Sequence, residues 1–329
     1  MKTPHILLPT TDLYFLNAFR DRVGKLPLSK LPARQISPNV FVGRNSILVS
    51  RYISTGRLER LTRDGTRKLI YLIDDDIEAA PGDETLPPEY RRKMATFVDG
   101  PYQRILEKAD TFVVSTNRLV EKYKQIGKTV RLTPCWHLGP SDSGHYAPLA
   151  EEGSTVKVAF LGTRIHQAEM AFLVPIVEEI LDRHQNVDMT LFWGRHAPGG
   201  LASHPRVHVR RGMIWPLYKR LISRWRYHLA LYPTIESPFN SARSINKMIE
   251  HGIVGAIGVY SAGSLIAEHV EMGASGIVVD NRQKDWVEAI SEAIAHPDRL
   301  QAVFEAGRDY ATQLNDRQTQ RAFWQTQFN

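Results

Sequence analysis

Between Leu229 and Asp280, the short apolar runs LALY, GAIGVY and GIVV alternate with segments whose apolar residues recur at helical spacing. This predicts strand, loop, helix, strand, second helix and strand, which is half of a doubly wound sheet. The runs VKVAFLG (156–162), DMTLFWG (188–194) and RVHVRRG (206–212) extend the strand series toward the N-terminus. Helices are predicted from TRIHQAEM to about His184 and over WPLYKRLISRW (215–225). In the first half, strands are predicted at 5–9, 45–53, 68–73, 111–115 and 130–134, the second of them leading into a helix. A helix over 116–123 makes a crossover between the last two strands, and crossovers imply parallel pairing.

With 329 residues and 43% hydrophobic content, the chain can bury two cores, since one core seldom grows beyond roughly 250–300 residues. The expected division is a first α/β domain over 1–140, a linker at 141–155 and a second α/β domain over 156–310. A last helix at 311–329 is expected to pack back on the first domain. The linker falls within 136–155, a stretch rich in Gly, Ser and Pro that carries no periodicity. The loop after HILLP has no glycine for close phosphate approach, so the nucleotide-binding half is expected to be the second.

No apolar run approaches the roughly 20 residues of a membrane span, and the start MKTPHILLPTTD has no signal-peptide pattern. A cytoplasmic protein is expected, with peripheral contact at the inner membrane face left open. The single cysteine, Cys135, excludes an internal disulfide or a multi-cysteine metal cluster and is expected to be buried and structural.

The net charge of +7 changes the picture of partners. Residues 1–150 hold 23 Lys and Arg against 16 Asp and Glu, whereas residues 151–329 hold 19 of each. A basic surface favours anionic partners, among them lipid headgroups, lipid-linked phosphates and acidic glycans. Nucleic acid ranks below these because no recognition motif occurs and the basic residues are not interleaved with aromatics. Arg44, Arg51, Arg57, Arg60, Arg63, Arg67 and Lys68 crowd one region, so the first domain is expected to dock an anionic acceptor or the membrane carrying it. The stretch 206–226 carries seven basic residues and no acid, and reads either as a membrane-lying segment or as a core-facing helix with a solvated basic side.

Candidate chemistry gathers in three places. Asp74, Asp75 and Asp76 follow KLIYLI directly, at the carboxyl end of a buried-looking strand. Three adjacent carboxylates there suit a cleft, a metal-gripping Asp-x-Asp, or a cap on the next turn paired with arginines. Gly162, Thr163, Arg164 and His166 follow the strand 156–162, and an arginine fork can hold two phosphate oxygens. The loop 234–242 contains Asn240, and beyond it Ser244, Lys247 and Glu250 recur at three-residue steps, giving either one polar stripe on a helix or a capped surface helix. No histidine pair has zinc spacing on a helix, and no phosphate loop, dinucleotide fingerprint or nucleophile elbow occurs where a strand meets a helix.

The string P-x-x-x-S-P-F-N-x-x-x-S-x-x-K-x-x-E-x-x-x-x-G, from Pro233 to Gly255, precedes a Ser-rich turn that begins at Ser261, with DNRQKDW later. It resembles the donor-binding region of GT-B glycosyltransferases of the broad family 4 type. The resemblance covers most of 156–300 and, weakly, 69–135. It implies two Rossmann-like domains facing across a cleft, the acceptor on the first and a nucleotide-sugar donor on the second. Glu250 would then hold the ribose, Gly162, Thr163, Arg164 and Lys247 the diphosphate, and Asn240, Ser244 and Ser261 the rest of the donor. Asp74, Asp75, Asp76 or His166 would steer an acceptor hydroxyl, carbohydrate or lipid-linked. The implied reaction is retaining and needs neither metal nor cofactor beyond the nucleotide-sugar co-substrate. Two positions depart from the pattern: Glu169 stands where the family usually has lysine, and Ala242 where it has glutamate. A nucleotide-sugar epimerase and a catalytically silent glycan- or nucleotide-binding subunit of the same fold are the rival readings.

Overall fold

In the computed structural model, which describes residues 8–20, 31–151, 153–162, 165–270 and 275–328, β4 (Lys68–Ile73) is buried from Leu69 onward. A strand with both faces covered needs helices above and below, and its pairing is accordingly parallel. It lies between β3 (Ser46–Ser50) and β5 (Thr111–Val114), with β6 (Lys128–Arg131) beyond, all four parallel. The crossovers are α2 (Thr55–Thr62), α3 (Pro88–Phe97) with α4 (Gln103–Lys108), and α5 (Asn117–Tyr123). The last begins where the Thr116 hydroxyl accepts the Leu119 N–H at 3.3 Å.

The N-terminal side of this sheet departs from expectation. Of the predicted strand at 5–9, His5, Ile6 and Leu7 lie outside the described residues, and Pro9 opens a buried helix, α1 (Pro9–Tyr14). Proline loses nothing at the first helical position, where its missing N–H would be unpaired anyway. Two strands not predicted, β1 (Arg34–Ser37) and β2 (Val40–Val42), add antiparallel to β3 and complete six strands. The fifth predicted strand is shifted: β6 stops at Arg131, three residues short of Pro134.

The second sheet is wholly parallel, in the order β12, β11, β10, β7, β8, β9. The chain enters at β7 (Val156–Phe160) and passes through α6 (Gln167–Arg183) to β8 (Val187–Leu191), then through α7 (Gly199–Ser203) to β9 (Val207–Val209). It then returns over α8 (Trp215–Ile222) to β10 (Leu229–Tyr232) on the other side of β7. From there α9 (Asn246–Val254), β11 (Ile257–Ser261) and β12 (Ile277–Val279) build outward. The reversal of order between β7 and β10 leaves a crevice at their carboxyl ends, where open α/β sheets bind ligands. Between β11 and β12, where a full helix was expected, the described residues hold only a single helical turn at Ala267–His269.

The chain crosses between the sheets twice. Asn315 couples the crossings: its Oδ1 accepts the Trp136 N–H at 2.7 Å and its Nδ2 donates to the Leu138 carbonyl at 2.9 Å. The stretch expected as a linker is well anchored, with Tyr146 buried and its hydroxyl donating to the carbonyls of His228 and Gly255. Gly255 ends α9 at φ 77, where a Cβ would also strike the His145 ring at 2.5 Å, so only glycine fits. After α10 (Gln283–Ala295) and α11 (Pro297–Leu314), α12 (Arg317–Phe328) lies against α1: Trp324 donates to the Tyr14 carbonyl at 2.6 Å, and Gln320 to that of Leu13 at 3.1 Å. Cys135, buried beside it, donates to Gln320 Oε1, and burial pushes its thiol up to about 12. Among the described residues no helix is long and apolar enough to cross a membrane.

Candidate functional site

The carboxyl ends of both sheets open onto one cavity of about 660 Å³, in the size range of small-molecule sites. The first domain contributes Arg51, Asp74, Asp75 and Tyr90; the second contributes Gly162, His166, Arg243, Ser244, Lys247 and Glu250.

On the first side, Arg51 directly follows β3 and Asp74 directly follows β4, so strand pairing alone sets them side by side. One guanidinium nitrogen of Arg51, Nη1, reaches Asp74 Oδ1 at 3.0 Å and Asp75 Oδ2 at 2.6 Å. Its backbone has φ 58, unique for a non-glycine among the described residues. That left-handed conformation is costly for a residue with a Cβ. It is held by a hydrogen bond from the Arg51 N–H to the Leu72 carbonyl at 2.9 Å and another from the Tyr71 hydroxyl to the Arg51 carbonyl at 3.0 Å. Asp74 also accepts from Thr10 at 2.8 Å. Burial outweighs the pull of Arg51 and, with the neighbouring Asp75 charge, raises the Asp74 carboxyl to about 6. Asp76 takes a different part: it accepts from Lys122 at 2.5 Å and from the Ala79 N–H at 3.2 Å, capping the turn away from the cavity lining.

On the second side, Lys247 and Glu250 share the first turns of α9, and Lys247 Nζ donates both to Glu250 Oε1 and to the Leu161 carbonyl at 2.9 Å. The Tyr218 hydroxyl donates to the same oxygen, Oε1, which leaves Oε2 without a protein donor among these bonds. Ser244 lines the cavity but precedes α9, so the expected three-residue stripe is a loop residue followed by two helical ones. The loop conformation from 240 to 245 comes from a short helical turn at Asn240–Ala242, which delays the start of α9.

Arg243 Nη1 lies 3.2 Å from Glu169 Oε1 and donates to His166 Nδ1 at 2.9 Å. An imidazole nitrogen that accepts carries no proton, so His166 is neutral with its hydrogen on Nε2. Burial, then the Arg243 charge, depresses its pKa to the same end. Gly162 lies where the backbone turns past Phe160, and a Cβ there would meet that ring at 2.2 Å. Thr163 and Arg164 lie outside the described residues.

Two predicted donor residues do not line the cavity. Asn240 is buried and donates to the Ile235 carbonyl at 2.7 Å. Ser261 is wholly buried, accepting the Thr234 N–H at 2.7 Å and donating to Asn281 at 2.6 Å, which braces the ends of β10 and β11 beneath the site. Of the basic cluster of the first half, Arg51 points inward, Arg57 donates to the Ile36 carbonyl at 2.9 Å and Arg67 lies 3.6 Å from Asp64, while Arg44, Arg60, Arg63 and Lys68 are exposed. Among the described residues no group of His, Cys, Asp and Glu converges as metal ligands would.

The sequence reading missed Arg243 and Tyr218, and it counted Arg51 only within the basic cluster, not as the partner of Asp74 and Asp75. The signal for Arg51 was present, since it stands after its strand as Asp74 stands after the next. Arg243 adjoins Ala242, the position of one departure from the family pattern. Tyr218 carried no signal, because an aromatic at helical spacing reads as core.

No protein-family model and no curated protein sequence matches the chain. Solved structures do match its fold. WaaG, a glycosyltransferase involved in lipopolysaccharide biosynthesis, aligns at TM-score 0.57 and 12% identity over 83% of this chain and 80% of its own. Anabaena HepE in complex with UDP-glucose aligns at TM-score 0.53 and 13% identity over 80% of this chain and 72% of its own. TarM aligns at TM-score 0.56 and 10% identity over 80% of this chain, which spans about half (51%) of TarM's length. The chain therefore has the GT-B architecture of glycosyltransferases, two α/β domains closing on a shared cleft.

Proposed function

We infer that this protein transfers a sugar from a nucleotide-sugar donor to a hydroxyl-bearing acceptor in the cleft between its domains. One observation carries the reading: a cavity of about 660 Å³ has Lys247, Arg243 and Glu250 on one wall and Asp74 and Asp75 on the other. The first wall suits a diphosphate and a ribose, and the second suits a hydroxyl that must be oriented and relieved of its proton.

In this mechanism Glu250 Oε2 accepts from ribose hydroxyls while Lys247 and Tyr218 hold Oε1 in place. Negative charge developing on the departing diphosphate is met by Arg243, Lys247 and the Nε2–H of neutral His166, all on packed elements and so needing little reorganisation. Asp74 and Asp75 orient the acceptor hydroxyl. Arg51 already sits between those carboxylates, which supports a metal-independent reaction. The acceptor is a carbohydrate or a lipid-linked one, and a retaining outcome is part of the proposal. HepE's complex with UDP-glucose makes uridine diphosphate sugars the first donors to try.

The test is a thermal-shift screen of the full chain against nucleotides and nucleotide sugars, followed by product analysis with donor alone and with donor plus hydroxyl acceptors. A ligand bound only by the folded state raises the midpoint. Stabilisation by a nucleotide sugar and a glycosylated product are expected. A new sugar epimer from donor alone, or nucleotide binding without transfer or hydrolysis across a broad panel, would overturn the reading.

A further inference from the structure

α8 has two unlike faces. The inner face is fastened to the first domain: Trp215 Nε1 donates to Asp12 Oδ2 at 2.9 Å, Lys219 donates to the same oxygen, and Ile222 is fully buried. On the outer face Pro216, Leu217 and Arg220 are exposed, and Arg224 is exposed in the turn two residues beyond the helix. Ile214, one residue before the helix, is 62% exposed and Leu217 is 44% exposed. Only one other large hydrophobic side chain among the described residues, Ile126, is comparably exposed, so two of the three stand within a single turn.

The charge around them is of one sign. The segment 206–226 has seven Lys and Arg and no acid. Arg206 is used on the carbonyls of His184 and Leu181, Arg226 on those of Ser223 and Trp225, and Lys219 on Asp12. Arg210, Arg211, Arg220 and Arg224 remain exposed, with no carboxylate at ion-pair distance among the described residues. The patch adjoins the cleft, because Gly212, Met213, Ile214 and Trp215 also line the cavity.

We propose that this rim, from Arg210 to Arg224, docks on an anionic lipid bilayer and sets the mouth of the cleft at the membrane plane. Aliphatic side chains that project into water between uncompensated arginines match a surface with an acyl boundary beneath phosphates. A nucleic acid would use the arginines and leave Ile214 and Leu217 without a role. The docking deepens the glycosyl-transfer reading by naming a lipid-anchored acceptor as the class delivered to Asp74 and Asp75. It places the membrane-facing charge in the segment 206–226, which the sequence offers as a membrane-lying stretch, in addition to any role of the basic cluster in the first half.

The test is sedimentation of the full chain with vesicles of phosphatidylcholine and of phosphatidylcholine mixed with phosphatidylglycerol, at low and moderate salt. Binding to the mixed vesicles alone, weakened by salt, is expected. Leu217→Ser should reduce it, and Arg220→Ser with Arg224→Ser should reduce it by roughly fivefold per arginine, with a shallower salt dependence. These positions are exposed, so unchanged melting curves and unchanged stabilisation by a nucleotide sugar certify the fold and keep this test separate from that of the donor site. Equal binding to both vesicle types, no binding, binding that ignores the substitutions, or displacement from vesicles by duplex DNA would overturn the proposal.

Discussion

Arg243 and Glu169 face each other at 3.2 Å, the acid buried and the base largely so, with the base on the loop before α9 and the acid in the first turn of α6. The family pattern the sequence resembles has the opposite arrangement, lysine where Glu169 stands and glutamate where Ala242 stands. In the structure the acid at 169 pairs with a cation on the loop beside 242, so the two departures from that pattern lie next to one ion pair on the wall of the cleft. Arg243 also lies over the Phe239 ring, 5.6 Å from its centre, which steadies its long side chain.

Truncating Arg243 should therefore do two separable things. Arg243→Ala takes the guanidinium away from the buried Glu169 and leaves it only neutral His166 at 3.6 Å, an arrangement that costs up to about 3–5 kcal/mol, and it should also weaken donor binding. Adding Glu169→Gln should restore much of the stability in urea titrations but not the affinity for the nucleotide sugar. Recovery of both by the double variant would show that Arg243 serves the fold alone.

Asp74 gives a pH dependence with a definite sign. Its folded pKa of about 6 lies above the ordinary carboxylate value of about 4, so folding favours the protonated form. That stabilisation is complete below about pH 4 and is lost as pH rises through about 6. The ionised form that orients an acceptor accumulates over the same interval, so kcat/KM for transfer should rise through about pH 6. Asp74→Asn should abolish that limb and most of the rate, and a limb unchanged in the variant would assign it to another group.

Glu250 carries the ribose assignment. Glu250→Gln keeps the shape but weakens charge-assisted hydrogen bonds worth about 1.5–3 kcal/mol each, so donor affinity measured by titration calorimetry should fall by at least tenfold. Circular dichroism should report the same fold. Equal affinity in variant and wild type would remove Glu250 from the donor site.

Asp12 accepts from Arg20 at 2.7 Å and also from Lys219, which places a buried carboxylate at the contact between the domains. Asp12→Ala removes the carboxylate that the buried Lys219 faces, and a loss of about 3–5 kcal/mol in chemical denaturation is expected. The double variant Asp12→Ala with Lys219→Met should recover part of it. A stability within error of wild type for the single variant would mean that the contact opens freely in solution.

Much of this protein was written in local pattern. β4, β5, β7, β8, β10 and β11 were readable because strands buried on both faces are near-continuous apolar runs, and the doubly wound second half followed from their alternation with helices. Pro9, β1 and β2 were not, because a short helix opened by proline and an edge hairpin with half-exposed residues have no such run. The site divides in the same way. Asp74, His166, Lys247 and Glu250 stood out by their place after a strand or on a helix, which is local information. That Asp76 pairs with Lys122, that Ser261 braces two strands rather than lining the cleft, and that Arg51 and Arg243 neutralise the acids around them were decided only when distant segments packed together. A charge leaves no mark in the sequence of which opposite charge it will meet. Burial makes leaving it unpaired costly by several kcal/mol, so the tertiary structure, not local spacing, chooses the partners.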